Sequence, residues 1–191
     1  SSGPFSVKSS ALAFSSDLDR ITRAAAGDPA AVSSLVDRYS SGVLALATRM
    51  LGDPSEAEDV TQETFLRAWK ALPGWEPRAK FSTWLHRVAL NLCYDRLRKR
   101  REVTMEHLPE RTDPAMTPAE LLDQSQRVRA VEDAISHLPE RQAAALTLCA
   151  LQGHSQAEAA DIMDVSVEAL ESLLARARRT LRASLLERAA S

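Results

Sequence analysis

The sequence predicts an all-α protein built from two small helical domains joined by a flexible acidic linker. Three observations carry this. Ala, Leu, Arg and Glu dominate while aromatic residues make up only 5%, a helix-forming composition. Apolar residues recur at helical spacing between Pro/Gly-marked turns, and no alternation of period two is long enough for a strand. Residues 102–123 hold three prolines and six acids against one base, the pattern of an extended spacer. The 191-residue length suits one or two small domains. With 45% hydrophobic and 26% charged residues, wholesale disorder is excluded.

Taken in order, Gly27-Asp28-Pro29, Gly52-Asp53-Pro54 and Pro73-Gly74-Trp75-Glu76-Pro77 separate the first helices. The spacing predicts helices over 17–26, 30–51, 55–72 and 80–101. After the linker, helical patterns resume over 119–137, 140–152, 155–163 and 167–187. The domain plan is therefore 17–101, a linker at 102–123, and 124–191. Residues 1–16 are expected to be a disordered N-terminus or an expression remnant. Ser1–Ser10 lacks the apolar core of a secretion signal, and no stretch approaches the roughly 18 apolar residues that span a bilayer.

Charge is segregated although the formal net is −2. Residues 53–63 carry Asp53, Glu56, Glu58, Asp59 and Glu63 with no base. Residues 78–101 carry eight bases against Asp95, and residues 176–188 carry five arginines against Glu187. Basic tracts of this kind suit a nucleic-acid backbone. They equally suit a solvated helix face near a C-terminus.

On the helix at 80–101, Phe81, Trp84, Leu85, Val88 and Leu92 form an apolar stripe. Thr83, Arg87, Asn91, Tyr94 and Arg98 form a second row. It offers guanidinium groups for phosphates, an amide for a base edge and a ring for stacking. Trp84 reads either as core or as a platform for unpaired bases. On the helix before it, Phe65, Ala68, Trp69 and Leu72 form one stripe. Asp59, Gln62, Glu63 and Leu66 project elsewhere, a mixed acidic and apolar surface suited to a basic protein partner.

In the C-terminal half, Ser155-Gln156-Ala157-Glu158 is a capping box and Ser166 is a second N-cap after a short turn. A short helix, a three-residue turn and a longer helix match the helix-turn-helix pattern. Leu170, Leu174, Ala177, Leu181 and Leu185 face inward. Glu168, Glu171, Ser172, Ala175, Arg179 and Arg182 face outward on the recognition helix.

Nothing points to catalysis. Cys93 and Cys149 read as buried thiols, too few for a disulfide framework or a structural zinc site. The four histidines form no ligand pair, and no glycine-rich phosphate loop or nucleophile elbow is present. No metal, cofactor or small-molecule substrate is expected.

The segment Asp53 to Trp69 resembles region 2.2 of bacterial extracytoplasmic-function (ECF) sigma factors of the sigma-70 family. Phe81 to Asn91, followed by Asp95 to Arg100, resembles their regions 2.3 and 2.4. Leu138 to Gln142, with Ser155 to Leu181, resembles region 4. The likeness spans about residues 17–187, with the motifs in the family's order. It implies promoter-specific transcription initiation with RNA polymerase core. Asp59, Gln62, Glu63 and Leu66 would dock on the clamp helices of the largest polymerase subunit. Arg78, Lys80, Trp84, Arg87, Asn91, Arg98 and Lys99 would read and open the −10 element of promoter DNA. Ser166, Glu168, Glu171, Ser172, Arg176, Arg179 and Arg182 would serve the −35 element.

Many family members carry Lys or Arg where Glu171 and Leu173 stand here, so the individual −35 base contacts stay open. The resemblance also implies a cytoplasmic protein regulated by an anti-sigma factor, in many cases a membrane-anchored one. Such an inhibitor is expected to wedge a helical segment between the two domains. Two rival readings are a stand-alone helix-turn-helix regulator and a mimic that titrates an inhibitor without touching DNA.

Overall fold

Aspartates begin α2 and α3 of the N-terminal unit, and a glycine ends the first of them. The computed structural model describes residues 17–76, 78–106 and 124–191. A first helix, α1, covers 17–25. The side chain of Asp28 accepts from the Ala30 N–H at 3.0 Å and starts α2, Pro29–Leu51. Gly52 closes α2 in the left-handed region (φ 66°), where its N–H donates to the Thr48 carbonyl at 2.8 Å. A residue with a Cβ would be strained there. Asp53 then caps α3, Pro54–Ala71, by accepting from the N–H groups of Ser55 and Glu56. One tripeptide thus stops one helix and starts the next. Asp53→Ala is expected to cost about 1 kcal/mol of stability, read as a shift in the urea midpoint at unchanged slope.

A 3₁₀ turn, Leu72–Gly74, leads to Trp75 and then to α4, Phe81–Glu106. The first five residues of the expected linker, 102–106, are therefore helical. No proline occurs between Phe81 and Pro109, so nothing breaks the backbone ladder there. Residues 107–123 of the expected linker, and 1–16, lie outside the described residues.

The C-terminal unit contains α5 (Gln124–Ser136), α6 (Glu140–Leu146), α7 (Gln156–Met163) and α8 (Val167–Ala190). Between α6 and α7, the segment Thr147–Leu151 widens into a π turn. The sequence predicts one continuous helix over 140–152. The π turn instead re-aims the chain, with the Gln152 N–H on the Thr147 carbonyl and the His154 N–H on the Leu148 carbonyl, both at 3.0 Å. No strand occurs among the described residues.

In the N-terminal unit, Leu35, Val43 and Leu46 of α2 bury against Ala57 and Val60 of α3 and Leu85, Ala89 and Leu90 of α4. In the C-terminal unit, Ala143 to Leu146 pack with Leu148, Ile162, Leu170, Leu174 and Ala177. Each fully buried leucine contributes about 1.5–3 kcal/mol relative to exposure. The two sets form one continuous apolar cluster. Two helices join them: α4 touches α2, α3 and α7, and α2 touches α6 and the π turn.

That double contact also redraws the expected faces of α4. Phe81 and Leu85 are buried, but Val88 and Leu92 of the same stripe are only partly so. Thr83, in the second row, is buried, and Tyr94 is half-buried. Burial pushes the Tyr94 hydroxyl up to about 12, and no partner for it occurs among the described residues. Cys93 is buried and its thiol is likewise pushed up to about 12. Cys149 is partly buried, and both cysteines are free thiols.

Candidate protein and nucleic-acid interfaces

The acidic face lies on α3, opposite its buried side. Ala57, Val60, Thr64, Phe65 and Ala68 point into the core. Asp59, Gln62, Glu63 and Leu66, at i, i+3, i+4 and i+7, share the other side of the helix. Leu66 is 53% exposed, a large apolar side chain set among carboxylates. Glu63 is held by Arg67 at 3.0 Å, and Asp59 faces Arg96 at 3.9 Å. Both are exposed pairs, which hold little energy. The face is therefore free to exchange these partners for others.

The basic tract of α4 divides by direction. Arg96 and Arg100 turn toward Glu56 on α3, and Arg100 also donates to the Leu51 carbonyl at 2.9 Å. Arg101 pairs with Glu140 of α6. Asn91, Arg98 and Lys99 point to solvent, with Arg98 held by Asp95 at 3.0 Å. Ahead of the helix, Arg78 is exposed and bonds Glu76 at 2.7 Å. Trp84 is partly core, as the first of its two readings has it. Its ring is half-buried and stacks on Phe81 at 6.1 Å between centroids, with an interplanar angle of 22°. Phe81 also meets Tyr39 and Trp75 edge-on, at 5.9 and 6.0 Å.

Lys80 and Arg87 lie at the junction of the two units. The Lys80 ammonium bonds Glu158 of α7 at 3.0 Å. The Arg87 guanidinium donates through Nε at 3.1 Å, and through Nη2, to the backbone carbonyl of Asp161. That carbonyl belongs to the last turn of α7, where the helix dipole is negative. Alongside, the rings of His86 and His154 meet edge-on at 5.1 Å, and the Gln152 amide donates to the Gly42 carbonyl at 2.9 Å. Gln152, His154 and the Asp161 carbonyl carry no motif, and sequence reasoning missed them. Gly153, at φ 72°, was the one local sign that the chain turns there.

The helix-turn-helix is built as its caps require. Ser155 accepts from the Glu158 N–H at 3.1 Å while Glu158 accepts from the Ser155 N–H at 3.2 Å, closing the capping box on α7. Asp164 ends α7 in the left-handed region (φ 55°), and the Val165 N–H returns to the Ala160 carbonyl at 3.0 Å. Ser166 caps α8 by accepting from the Ala169 N–H at 3.1 Å. On α8, Leu170, Leu174 and Ala177 are buried, with Leu181 and Leu185 partly so. Glu168, Glu171, Ser172, Arg176, Arg179 and Arg182 lie exposed on its outer side. Among the described residues, Arg176, Arg179 and Arg182 have no carboxylate within ion-pair distance.

Two parts of the chain match models of known families. Residues 35–103 match sigma-70 region 2, and residues 128–181 match sigma-70 region 4. The ECF RNA polymerase sigma factor SigE of Mycolicibacterium smegmatis is 35% identical over 165 residues, covering 83% of this chain and 64% of that protein. The RNA polymerase sigma factor CnrH of Cupriavidus metallidurans is 32% identical over 184 residues, covering 88% of this chain and 95% of CnrH. Against several other curated relatives the chain spans about half of their length.

The solved structure of CnrH in complex with the cytosolic domain of CnrY has a TM-score of 0.66, covering 88% of this chain and 96% of that one. The sigma factor RpoE in complex with the anti-sigma factor NepR, from Bartonella quintana, has a TM-score of 0.65 at 25% identity, covering 80% and 95%. With both conserved regions matched in order, and a relative aligned along nearly its whole length, the chain belongs to the sigma-70 family, in its extracytoplasmic-function group.

Proposed function

We propose that the chain binds RNA polymerase core and directs promoter-specific transcription initiation. One observation carries this reading: exposed charge is sorted by element. Carboxylates and an exposed leucine occupy one face of α3, and beyond the glutamates of its first turns the outer face of α8 carries arginines without carboxylate partners among the described residues. Polymerase core would take the first through Asp59, Gln62, Glu63 and Leu66. The −35 element would take the second through Arg176, Arg179 and Arg182, with Ser166, Glu168, Glu171 and Ser172 at the start of the recognition helix. The −10 element would meet Arg78, Lys80, Trp84, Arg87, Asn91, Arg98 and Lys99.

The direct test is run-off transcription by core polymerase with and without the purified chain. Promoter-specific transcripts should appear only with it. Binding to DNA without core, and no transcripts with core, would assign it instead to the stand-alone regulators. A finer outcome concerns Asn91. An amide reads base edges rather than phosphates, so Asn91→Ala should change base preference or opening at the −10 element. Core affinity and the salt dependence of binding should stay as they were.

An anti-sigma factor is the partner we propose for the resting state, acting in the cytoplasm. Of the structural relatives, RpoE is seen with the anti-sigma factor NepR, and CnrH with the cytosolic domain of CnrY. The apolar and acidic face of α3 suits that role because it is a surface best kept covered away from polymerase. Inhibitor and core should exclude each other from this chain in a competition assay. A stable ternary complex would overturn the shared face.

A further inference from the structure

The contact between the two units covers part of the surface assigned to DNA. Lys80 and Arg87 are engaged by α7. The docked arrangement is also incompatible with simultaneous reading of both promoter elements. These lie about 25 base pairs apart, or about 85 Å along B-DNA at 3.4 Å per pair, whereas α4 and α7 touch. We propose that the free chain closes on itself through a histidine latch, His86 against His154, that masks the Lys80 and Arg87 part of the −10 surface and opens on acidification. The masking rests on the functional reading above; the latch itself does not.

The geometry makes the junction sensitive to protons. His86 is buried on α4, with its Nδ1 2.7 Å from the Ser82 carbonyl. Its Nε2 faces Gly42 of α2 closely enough that a Cβ there would sit 3.5 Å away. His154 comes from the turn that the π segment creates. Both rings border a cleft of about 520 Å³ between the units.

The charged groups around this cleft are Arg38 from α2, Lys80 ahead of α4 and Glu158 from α7. Tyr39, also in the lining, is neutral and donates to Asp17 of α1. Asp17 is itself held by Arg20 and Arg38. Glu158 is the one carboxylate among the described residues that line this cleft; the other ion pairs between the units, Arg49–Glu132 and Arg101–Glu140, lie outside it. Glu158 is already shared between Lys80 at 3.0 Å and His154 at 3.7 Å. Two imidazolium rings in contact, beside Lys80 and Arg38, would repel without enough anionic charge to offset them.

The sign follows. Burial holds both rings below the ordinary imidazole value of 6.5, outweighing the Ser82 carbonyl at His86 and Glu158 at His154, which act the other way; His154 adds to the lowering at His86 and Lys80 at His154. The open chain therefore binds more protons than the docked one. Docking is fully present above about pH 6.5 and is lost as pH falls from there toward the lowered docked values. Each histidine that takes up a proton on opening lowers the docked-to-open ratio by up to about tenfold per pH unit.

The test is small-angle X-ray scattering of the free full chain between about pH 8 and about pH 5.5, with circular dichroism alongside. The radius of gyration should stay at its docked value at the alkaline end and rise below about pH 6.5 while helicity is retained. His154→Gln removes one ring from a partly exposed turn, so the fold should tolerate it, and its opening should be shallower in pH. His86→Gln with His154→Gln should remove the pH dependence altogether. An extended chain already at about pH 8, a radius that never changes, or a wild-type profile in His154→Gln would each overturn the latch. Scattering needs neither polymerase nor DNA, so it reads the latch alone, while run-off transcription reads the functional assignment.

Discussion

Asp59→Arg with Glu63→Arg is expected to abolish binding to polymerase core and leave the chain folded. Both carboxylates lie on the solvent side of α3, away from Val60, Thr64 and Ala68. The ion pairs that disappear, to Arg96 at 3.9 Å and to Arg67 at 3.0 Å, are surface pairs worth about 0–1 kcal/mol each. Arg96 keeps Glu56 as a neighbour at 4.0 Å. At an interface the same changes replace attraction with like-charge repulsion. Breaking one buried charge pair costs about 2–5 kcal/mol, and two reversals together should reduce affinity at least about 100-fold. Thermal unfolding by circular dichroism checks the fold, and a fluorescence titration with core checks binding. Leu66→Ala complements them by removing apolar area alone, so its effect should be smaller and insensitive to salt. Unchanged core affinity in a folded double variant would remove α3 from the interface.

The helices are legible because their signals are local. Asp28, Asp53, Ser155 and Ser166 each accept from a backbone N–H within three residues. A cap needs nothing from the rest of the chain, so the sequence alone suffices to find it. The acidic side of α3 is legible for the same reason, since i, i+3, i+4 spacing puts residues on one face whatever packs behind them. What stays hidden depends on long-range packing. The π turn at Thr147–Leu151 has no composition of its own. The extent of α4 to Glu106 is obscured by acids that look like linker. Tyr94 and Thr83 read as part of a recognition row because the sequence does not say that a second helical unit sits against α4. Arg87 does belong to a basic row, but its bond to the Asp161 carbonyl spans 74 positions and leaves no trace in spacing. Pairings across domains are the layer that single-sequence patterns do not carry.

Replacing Arg176, Arg179 and Arg182 together by alanine is expected to remove −35 anchoring while core binding persists. These side chains recur at intervals of three along the outer side of α8, and no carboxylate among the described residues competes for them. Removing one bound phosphate's partner should lower the slope of log K against log salt by about 1. The triple variant should therefore have a slope shallower by about three units, and its affinity deficit should be greatest at low salt. The measurement is holoenzyme binding to a promoter fragment across a salt series. Glu168 and Glu171 should behave differently. They sit in the first turns of α8, where the positive end of the helix dipole favours carboxylates. A carboxylate repels phosphate but accepts from the amino group of cytosine. Glu171→Gln should therefore shift which −35 sequence is preferred, and it should not lower the salt slope. A salt slope unchanged in Arg179→Ala would mean that a different side of α8 enters the groove. In that case the exposed Arg178, which lies about 100° around the helix from Arg179, becomes the next residue to replace.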